Sequence, residues 1–282
     1  MKKRTLYVSD MDGTLLNSNS VLSAKTISKL NGLIEKGALF TVATARTPAT
    51  VVELMKDVHA RLPFIVMAGC AQWSPQLNTY QSARIISEAN VQKLLPVFAR
   101  HGNNPFIYTK KGNSIEVFHV PQLTVDEAEF IAPRITTPLK TLTKVDSLTA
   151  ADMNEGTMLI FSMGRFSTLR AIADEIDRLA IPCTYNCYHD IFNDDMGFID
   201  LYLEGTTKAL AIRQLASEIG AERTVVFGDN LNDIPMMDAA NWSVAVDNAF
   251  SEVKAHANEV IGCNNDDAVV EWIERDFSAI ME

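Results

Sequence analysis

Apolar segments of strand length alternate with amphipathic helical segments at both ends of this chain. The predicted strands are TLYVSD, ALFTVATA and FIVMAG in the first third, and TVVFGD, WSVAV and EVIG in the last third. Longer segments such as SAKTISKLNGLIEKG, with apolar residues at helical spacing, separate them. Strands that are apolar throughout and alternate with helices are typical of a parallel sheet covered on both faces. The sequence therefore predicts an α/β fold.

The middle of the chain follows a different pattern. The segments PFIYTK and SIEVFHV indicate paired strands around a turn at 111–113, and amphipathic helices such as SEANVQKLLPVFARHG lie near them in sequence. About 110 residues are far too many for a loop within a compact domain. We therefore predict a core domain formed by residues 1–81 and 195–282, and an inserted α+β cap domain formed by residues 82–194.

Composition and charge restrict the partners. The net charge of −10 argues against nucleic acid, whose phosphates require clustered Lys and Arg. No apolar run approaches the ~20 residues of a membrane helix, so no membrane association is expected. The start, MKKRTLYVSD, is basic, but its apolar run is cut short by Asp10, so we predict no signal peptide and a cytoplasmic protein.

The four cysteines include a pair close to a histidine. Cys183, Cys187 and His189 are near enough in sequence to suggest zinc, but no fourth ligand is evident and the segment CTYNCYH alternates like a strand. We therefore favour ordinary reduced thiols, as in other cytosolic chains.

Polar residues of unusual chemistry follow three of the predicted strands. Asp10 and Asp12 follow the apolar run TLYVS, and Thr44 follows ALFTVA. The segment 228–233 (GDNLND) follows TVVF. Ligands bind beyond the carboxyl ends of strands in an open parallel sheet, so these residues converge if the strands are neighbours. Carboxylates from Asp10 and Asp229, with oxygen from around Asp12, would form the hard oxygen site that Mg²⁺ prefers. A bound Mg²⁺ would also compensate the negative charges of Asp10 and Asp12, which lie close together in the sequence.

Other polar groups suit a phosphate. Thr44 offers a hydroxyl, Asn232 offers an amide, and Lys208 opens a predicted helix in EGTTKALAI. A carboxylate can attack phosphorus only if the repulsion between the two anions is cancelled, and Mg²⁺ with Lys208 would do so. Asp10 can then be the nucleophile that forms an aspartyl-phosphate. Asp12 can protonate the leaving oxygen and afterwards take a proton from the attacking water.

These motifs resemble those of the haloacid dehalogenase (HAD) superfamily. DMDGTLL, ATAR, Lys208 before a helix, and GDNLNDIPMM are similar to its four motifs. The long insertion and the tail VAVDNAFSEVKAHANEVIGCNNDDAVVEWI resemble the Cof-type branch. The resemblance covers essentially the whole chain, in the insertion only by layout. It implies a Rossmann-like parallel-sheet core with a mobile α/β cap that sets specificity, and Mg²⁺-dependent hydrolysis of phosphate monoesters, often sugar phosphates.

The resemblance also implies a role for each site residue. Asp10 would be nucleophile and metal ligand, and Asp12 would be general acid/base and bind the metal through its backbone carbonyl. Asp229 would be a metal ligand, and Asp233 would support the metal site by contacting the ligands without binding the metal itself. The implied phosphate or substrate contacts are Thr44, Ala45, Arg46, Lys208 and Asn232. For Arg46 a second role is equally compatible with the sequence, an ion pair with a surface acid.

Three short segments depart from the common pattern of the family. Ala45 and Ala209 stand where glycine is common, and Ala68-Gly69-Cys70 stands where Asn-Gly-Ala is usual. None of these changes affects the predicted nucleophile or metal ligands.

We therefore expect a phosphoric monoester hydrolase that acts on a small phosphorylated metabolite. One alternative is a phosphomutase that uses the same aspartyl-phosphate, which the sequence barely separates from a phosphatase. Another is a regulatory protein that binds phosphate esters without turnover, against which the intact set of acids and Lys208 argues. As the oligomeric state, a monomer is slightly favoured.

Overall fold

The computed structural model of the chain describes residues 4–134, 138–148, 156–190 and 193–281. The chain divides into two compact units, Met1–Ser82 with Thr207–Glu282, and Ala83–Thr206. We call them the core unit and the inserted unit. The second boundary lies further along the chain than the predicted one after Asp194, because the strand Met196–Tyr202 pairs with strands of the inserted unit.

The described residues form strands, helices and short helical turns. The strands are β1 (Thr5–Ser9), β2 (Leu39–Val42), β3 (Phe64–Val66), β4 (Ala71–Ser74), β5 (Thr79–Ala83), β6 (Phe106–Lys111), β7 (Ser114–His119), β8 (Lys140–Lys144), β9 (Thr157–Arg165), β10 (Thr184–His189), β11 (Met196–Tyr202), β12 (Arg223–Gly228), β13 (Trp242–Ala245) and β14 (Glu259–Val260). The helices are α1 (Ala24–Glu35), α2 (Pro48–Leu54), α3 (Glu88–Arg100), α4 (Val125–Ile131), α5 (Phe166–Arg178), α6 (Lys208–Glu218), α7 (Ile234–Ala239), α8 (Ser251–His256) and α9 (Ala268–Met281).

The core unit is built around a five-stranded sheet in the order β14-β13-β12-β1-β2. All neighbouring strands in it are parallel, as the uniformly apolar segments predicted. Strand β1, which lies between β12 and β2, is buried, with Leu6, Tyr7 and Val8 at 0% exposure. Strand β3 (FIV), predicted as part of the parallel sheet, instead belongs to a three-stranded sheet in the order β3-β4-β5 and pairs antiparallel with β4. Strands β4 and β5 were not predicted, since AQWS and TYQSA are short and contain polar residues.

The register of the central strands determines where the site forms. Ser9 at the end of β1 pairs with Val42 of β2 on one side and with Phe227 of β12 on the other. The N–H of Asp10 continues the ladder by donating to the carbonyl of Phe227 at 2.9 Å. The polar residues that follow these three strands therefore start from the same edge of the sheet, as predicted.

The inserted unit contains a six-stranded, mostly antiparallel sheet in the order β10-β11-β9-β6-β7-β8. Helices α3 and α5 bury their apolar residues in one cluster with the sheet, including Leu94 and Ile172 with Ile160 of β9. The predicted hairpin around Gly112 is present as β6 and β7, whereas α4 and β8 were not predicted. The predicted fold class, a parallel-sheet core with an inserted α+β region, is confirmed.

Cysteines on and before β10 belong to the packing of the inserted unit. Cys183 and Cys187 are partly buried against its apolar cluster. His189 stacks on the ring of Phe166, with ring centroids 3.5 Å apart. The zinc alternative therefore gains no support from the geometry of this strand. Within the described ranges, no helix has the length and apolar character needed to cross a membrane.

A buried carboxyl group in the inserted unit makes a pH-dependent contribution to stability. Asp200 on β11 is 7% exposed, and the hydroxyl of Tyr188 donates to its Oδ2 at 3.3 Å. Burial raises the pKa of Asp200 to about 7 from an ordinary 3.8. Because the folded state holds this proton more tightly than the unfolded chain, the contribution is fully present below about pH 4 and is lost as the pH rises through about 7.

Asp200→Asn is expected to be more stable than the wild type by ~1–3 kcal/mol at about pH 8 and about equally stable near pH 4. Asparagine keeps the size and an acceptor for Tyr188 but does not ionise. Urea unfolding at both pH values measures the difference. Asp276→Asn is the control, because its carboxylate is ion-paired with Arg223 at 2.7 Å and its loss should not stabilise the protein at either pH. A difference between Asp200→Asn and the wild type that does not change with pH would contradict this assignment.

Candidate active site

Three carboxylates meet at the edge of the core sheet where β1 and β12 end. Asp10 directly follows β1, Asp229 directly follows β12, and Asp233 ends the short turn Leu231–Asp233. One oxygen of each lies within 4.8 Å of the others. Asp10 is 6% exposed and Asp233 is 0% exposed. In the part of the chain that the structure describes, this is the group of acids whose geometry could hold a metal ion.

The ammonium group of Lys208 lies among these acids. It donates to Asp10 Oδ1 at 2.5 Å and to Asp233 Oδ1 at 2.8 Å, and the residue is 5% exposed. Lys208 is the first residue of α6, whose start is capped by Thr207 accepting the N–H of Leu210. The predicted position of Lys208 at a helix start is thus confirmed, and it brings the positive end of a helix to the acids.

Burial sets the electrostatics of the site. It raises the pKa of Asp10, with Lys208 opposing and Asp233 adding to the rise. Burial also raises the pKa of Asp229 to about 6. For Lys208, burial lowers the pKa, but the carboxylates of Asp10 and Asp233 outweigh burial and raise it above its ordinary value. One ammonium group against three carboxylates leaves a site that favours a further cation.

The hydrogen bonds divide the three acids into two kinds. Both oxygens of Asp233 are engaged, Oδ1 by Lys208 and Oδ2 by the N–H groups of Asp229 and Asn230 at 3.1 Å. Asp10 and Asp229 each accept one side-chain bond, on Oδ1, and their Oδ2 atoms accept none from the described residues. Asp10 and Asp229 can therefore offer oxygen to a cation, whereas Asp233 holds its neighbours in place. Such oxygen donors fit Mg²⁺.

The turn Met11–Leu15 packs against Asp229. The hydroxyl of Thr14 donates to Asp229 Oδ1 at 2.8 Å, and Asn248 donates from Nδ2 to the carbonyl of Gly13 at 2.7 Å. Neither side chain was predicted as a site residue from the sequence. Thr14 lies within DMDGT and Asn248 within the tail motif, but neither pattern shows which atom the side chain reaches.

Gly13→Ala is expected to reduce the phosphate-ester hydrolysis predicted from the sequence by ~10²-fold, because misplacing a catalytic group by about 1 Å costs that much. Gly13 has a φ of +73°, and a Cβ there would overlap the carboxylate of Asp229. Gly220→Ala is the matched control, since Gly220 has a φ of +65° with nothing within 4 Å of the added Cβ. Both variants should lose ~1–2 kcal/mol of stability from the left-handed backbone, but Gly220→Ala should keep its activity. Equal activity losses in the two variants would contradict the role of the overlap.

The segment after β2 places Arg46 against Asp12. The guanidinium donates from Nε to Asp12 Oδ2 at 2.7 Å and from one terminal nitrogen to Asp12 Oδ1 at 2.5 Å. Thr44 is 1% exposed and its hydroxyl oxygen accepts the N–H of Arg46 at 3.2 Å, while Ala45 is exposed. Of the two predicted roles of Arg46, the structure shows an ion pair with an acid.

Asn232 is exposed in the turn that precedes Asp233. The structure thus brings Asp10, Asp229, Asp233 and Lys208 together and pairs Asp12 with Arg46. Among the described residues, no hydrogen bond links the side chain of Asn232 or of Thr44 to the acids. Phosphate contacts by Thr44, Ala45 and Asn232 stay predictions.

Comparison with known proteins agrees with this arrangement of residues. A family model described as haloacid dehalogenase-like hydrolase matches residues 7–273. The chain belongs to this family. This HAD hydrolase is 26% identical to the pyridoxal phosphate phosphatase YbhA of Escherichia coli, over 94% of this chain and 95% of that protein. It is 22% identical to the 5-amino-6-(5-phospho-D-ribitylamino)uracil phosphatase YcsE of Bacillus subtilis, over 95% and 94%.

Solved structures support the same architecture. A HAD subclass IIB sugar phosphatase superimposes with a TM-score of 0.74 at 20% identity, covering 96% of this chain and 98% of that one. At this level of identity the likeness shows the fold, a parallel core sheet with an inserted region. The resemblance inferred from DMDGTLL, ATAR, Lys208 and GDNLNDIPMM is confirmed.

Proposed function

We propose that this HAD hydrolase is a Mg²⁺-dependent phosphatase that cleaves small phosphate monoesters through a phosphorylated Asp10. The observation that carries the proposal is the convergence of three carboxylates on Lys208 at the end of β1 and β12. YbhA and YcsE, which match this chain over nearly their whole length, are named as phosphatases, which supports the same reaction class.

The acids have separate tasks in this proposal. Asp10 and Asp229 would hold the metal with their free oxygens, together with the backbone carbonyl of Asp12, and Asp233 keeps Lys208 and the loop after β12 in place. When bound, Mg²⁺ supplies positive charge that offsets the repulsion between the phosphate and the carboxylates. Lys208 contributes a further fixed charge beside the attacking carboxylate.

The side chains account for both chemical steps. A carboxylate oxygen of Asp10 forms a bond to phosphorus as the bond to the ester oxygen breaks, and Asp12 gives that oxygen a proton. In the second step a water attacks the phosphorus and Asp12 takes its proton. The bond from phosphorus to Asp10 then breaks, which releases inorganic phosphate and restores the carboxylate.

The proposed substrate is a small phosphorylated metabolite, with sugar phosphates as the leading class. Pyridoxal phosphate and 5-amino-6-(5-phospho-D-ribitylamino)uracil belong in the test because relatives are named for them. We further propose that the inserted unit, Ala83–Thr206, sets the specificity for the alcohol part.

A phosphate-release screen across phosphorylated metabolites tests this function. Release is expected with Mg²⁺, to be lost with a chelator and restored by added Mg²⁺. Mg²⁺ should also raise the unfolding temperature of the wild type but not of Asp229→Asn, because a ligand that binds only the folded state stabilises it. Full activity in chelator-stripped protein would overturn the metal dependence, and isomerised sugar phosphate in place of free phosphate would indicate a phosphomutase.

A further inference from the structure

The ion pair between Arg46 and Asp12 has geometry that the two chemical steps above do not explain. The guanidinium engages both oxygens of the carboxylate, at 2.7 and 2.5 Å. Pairs of this fork-to-fork type fix the plane and the position of a carboxylate in addition to attracting its charge. The orientation of the Asp12 carboxyl group is therefore determined by Arg46.

Asp12 depends on this contact more than the other acids do. Its side chain is 52% exposed, and Arg46 provides the side-chain hydrogen bonds that it receives among the described residues. By contrast, Asp10 and Asp233 are buried and held by Lys208. An exposed aspartate without such a partner would populate several rotamers.

Arg46 is itself held in place by the ends of two strands. Its N–H donates to the hydroxyl oxygen of Thr44 at 3.2 Å, and its carbonyl accepts the N–H of Met67 at 2.9 Å. Thr44 follows β2 and Met67 follows β3. The side chain of Arg46 is 25% exposed, so the protein covers most of it. The backbone of Arg46 is thus fixed beside the ends of β2 and β3, from where its guanidinium contacts Asp12.

We propose that Arg46 is a positioning residue that orients the Asp12 carboxyl group for proton transfer to the leaving oxygen. This inference rests on the proposed function, because Asp12 has a leaving oxygen to protonate only if the protein cleaves phosphate esters. Direct binding of the substrate phosphate by Arg46 is the alternative that the experiment separates.

The test compares kcat/KM for esters whose leaving alcohols differ in acidity, from p-nitrophenyl phosphate through phenyl phosphate to an alkyl phosphate. This ratio includes departure of the alcohol but not hydrolysis of the phosphorylated enzyme. Arg46→Gln is expected to lose a few-fold on p-nitrophenyl phosphate and ~10²-fold on the alkyl ester, since weakly acidic alcohols need a proton to leave. Asp12→Asn should show the same trend, and Arg46→Lys should recover part of the loss.

A double variant provides the second readout. In an Asp12→Asn background, Arg46→Gln is expected to cause less than about a threefold further loss on the alkyl ester, because the group it positions is already disabled. Arg223→Gln is the matched control, since Arg223 pairs with Asp276 at 2.7 Å in the same unit and its side chain is 20% exposed. It should keep the wild-type dependence on the leaving alcohol.

An equal loss for every leaving alcohol, additive with Asp12→Asn and accompanied by weaker inhibition by inorganic phosphate, would overturn the positioning role and assign Arg46 to phosphate binding. Thermal unfolding shows whether Arg46→Gln is folded, and Arg46→Lys carries the comparison if it is not. A wild-type protein that releases phosphate from no ester would be a failure of the proposed function and is seen before any variant is made.

Discussion

Asp10→Asn is expected to lower Mg²⁺-dependent phosphate release by roughly 10⁴-fold or more, because a carboxamide cannot replace a carboxylate nucleophile. Asp10 Oδ1 lies 2.5 Å from Lys208 Nζ, and an oxygen of Asp10 lies within 4.8 Å of oxygens of Asp229 and Asp233. The same substitution therefore also removes one proposed metal ligand. Release of p-nitrophenol and of inorganic phosphate measures the loss. Acid-quenched wild-type protein should carry one phosphoryl group by intact mass, and the variant should carry none.

Asp276→Asn is the matched control for this substitution. Asp276 also accepts bonds from charged and polar partners in the core unit, Arg223 and Tyr7, both at 2.7 Å, but it is not part of the acid group. Its variant should keep wild-type activity. Activity in Asp10→Asn within tenfold of the Asp276→Asn control would place the nucleophile elsewhere.

Lys208→Met is expected to destabilise the protein by about 3–5 kcal/mol at neutral pH without Mg²⁺, since it leaves buried carboxylates without their cation. Lys208 is almost fully buried and bonded to both Asp10 and Asp233. Phosphate release should fall by about 10²–10³-fold, the usual cost of one electrostatic group aimed at the reacting centre. Because the variant has a more negative site, Mg²⁺ should stabilise it more than it stabilises the wild type. Urea unfolding with and without Mg²⁺ measures the loss of stability and the stabilisation by Mg²⁺, and a phosphate assay measures the loss of activity.

Lys29→Met is the control that distinguishes the effect of burial on Lys208 from the effect of ion pairing. Lys29 also contacts two carboxylates, Glu274 at 2.6 Å and Glu271 at 3.9 Å, but its side chain is 28% exposed. A surface pair of this kind contributes about 0–1 kcal/mol, so little change is expected. If Lys208→Met were as stable as Lys29→Met and Mg²⁺ had no larger effect on it, the ammonium would not be the cation that balances the acids.

The part of the site that was predictable comes from signals local in sequence. Uniformly apolar runs such as TLYVS and TVVF identified β1 and β12, and the acids directly after them identified Asp10 and Asp229. Lys208 was recognised because it precedes an amphipathic segment. Each of these features depends on a few consecutive residues, whose spacing reflects strand or helix geometry.

The partners of the site residues were not predictable in this way. Arg46 and Asp12 are separated by 34 positions, Thr14 and Asp229 by 215, and Asn248 and Gly13 by 235. Likewise the assignment of Met196–Tyr202 to the inserted unit follows from its pairing with β9 and β10. These contacts depend on which strands become neighbours.

The α/β class, the insertion, and the acids and lysine that could perform phosphoryl transfer were predictable from the sequence, because apolar periodicity and residue chemistry are features of short segments. How these groups share hydrogen bonds depends on the folded chain, in which Lys208 and two N–H groups donate to the oxygens of Asp233 and Arg46 donates to Asp12. The physical reason is that the alignment of β2, β1 and β12 brings distant strand ends together. Whether a carboxylate oxygen is left free for a cation is a property of that assembled edge.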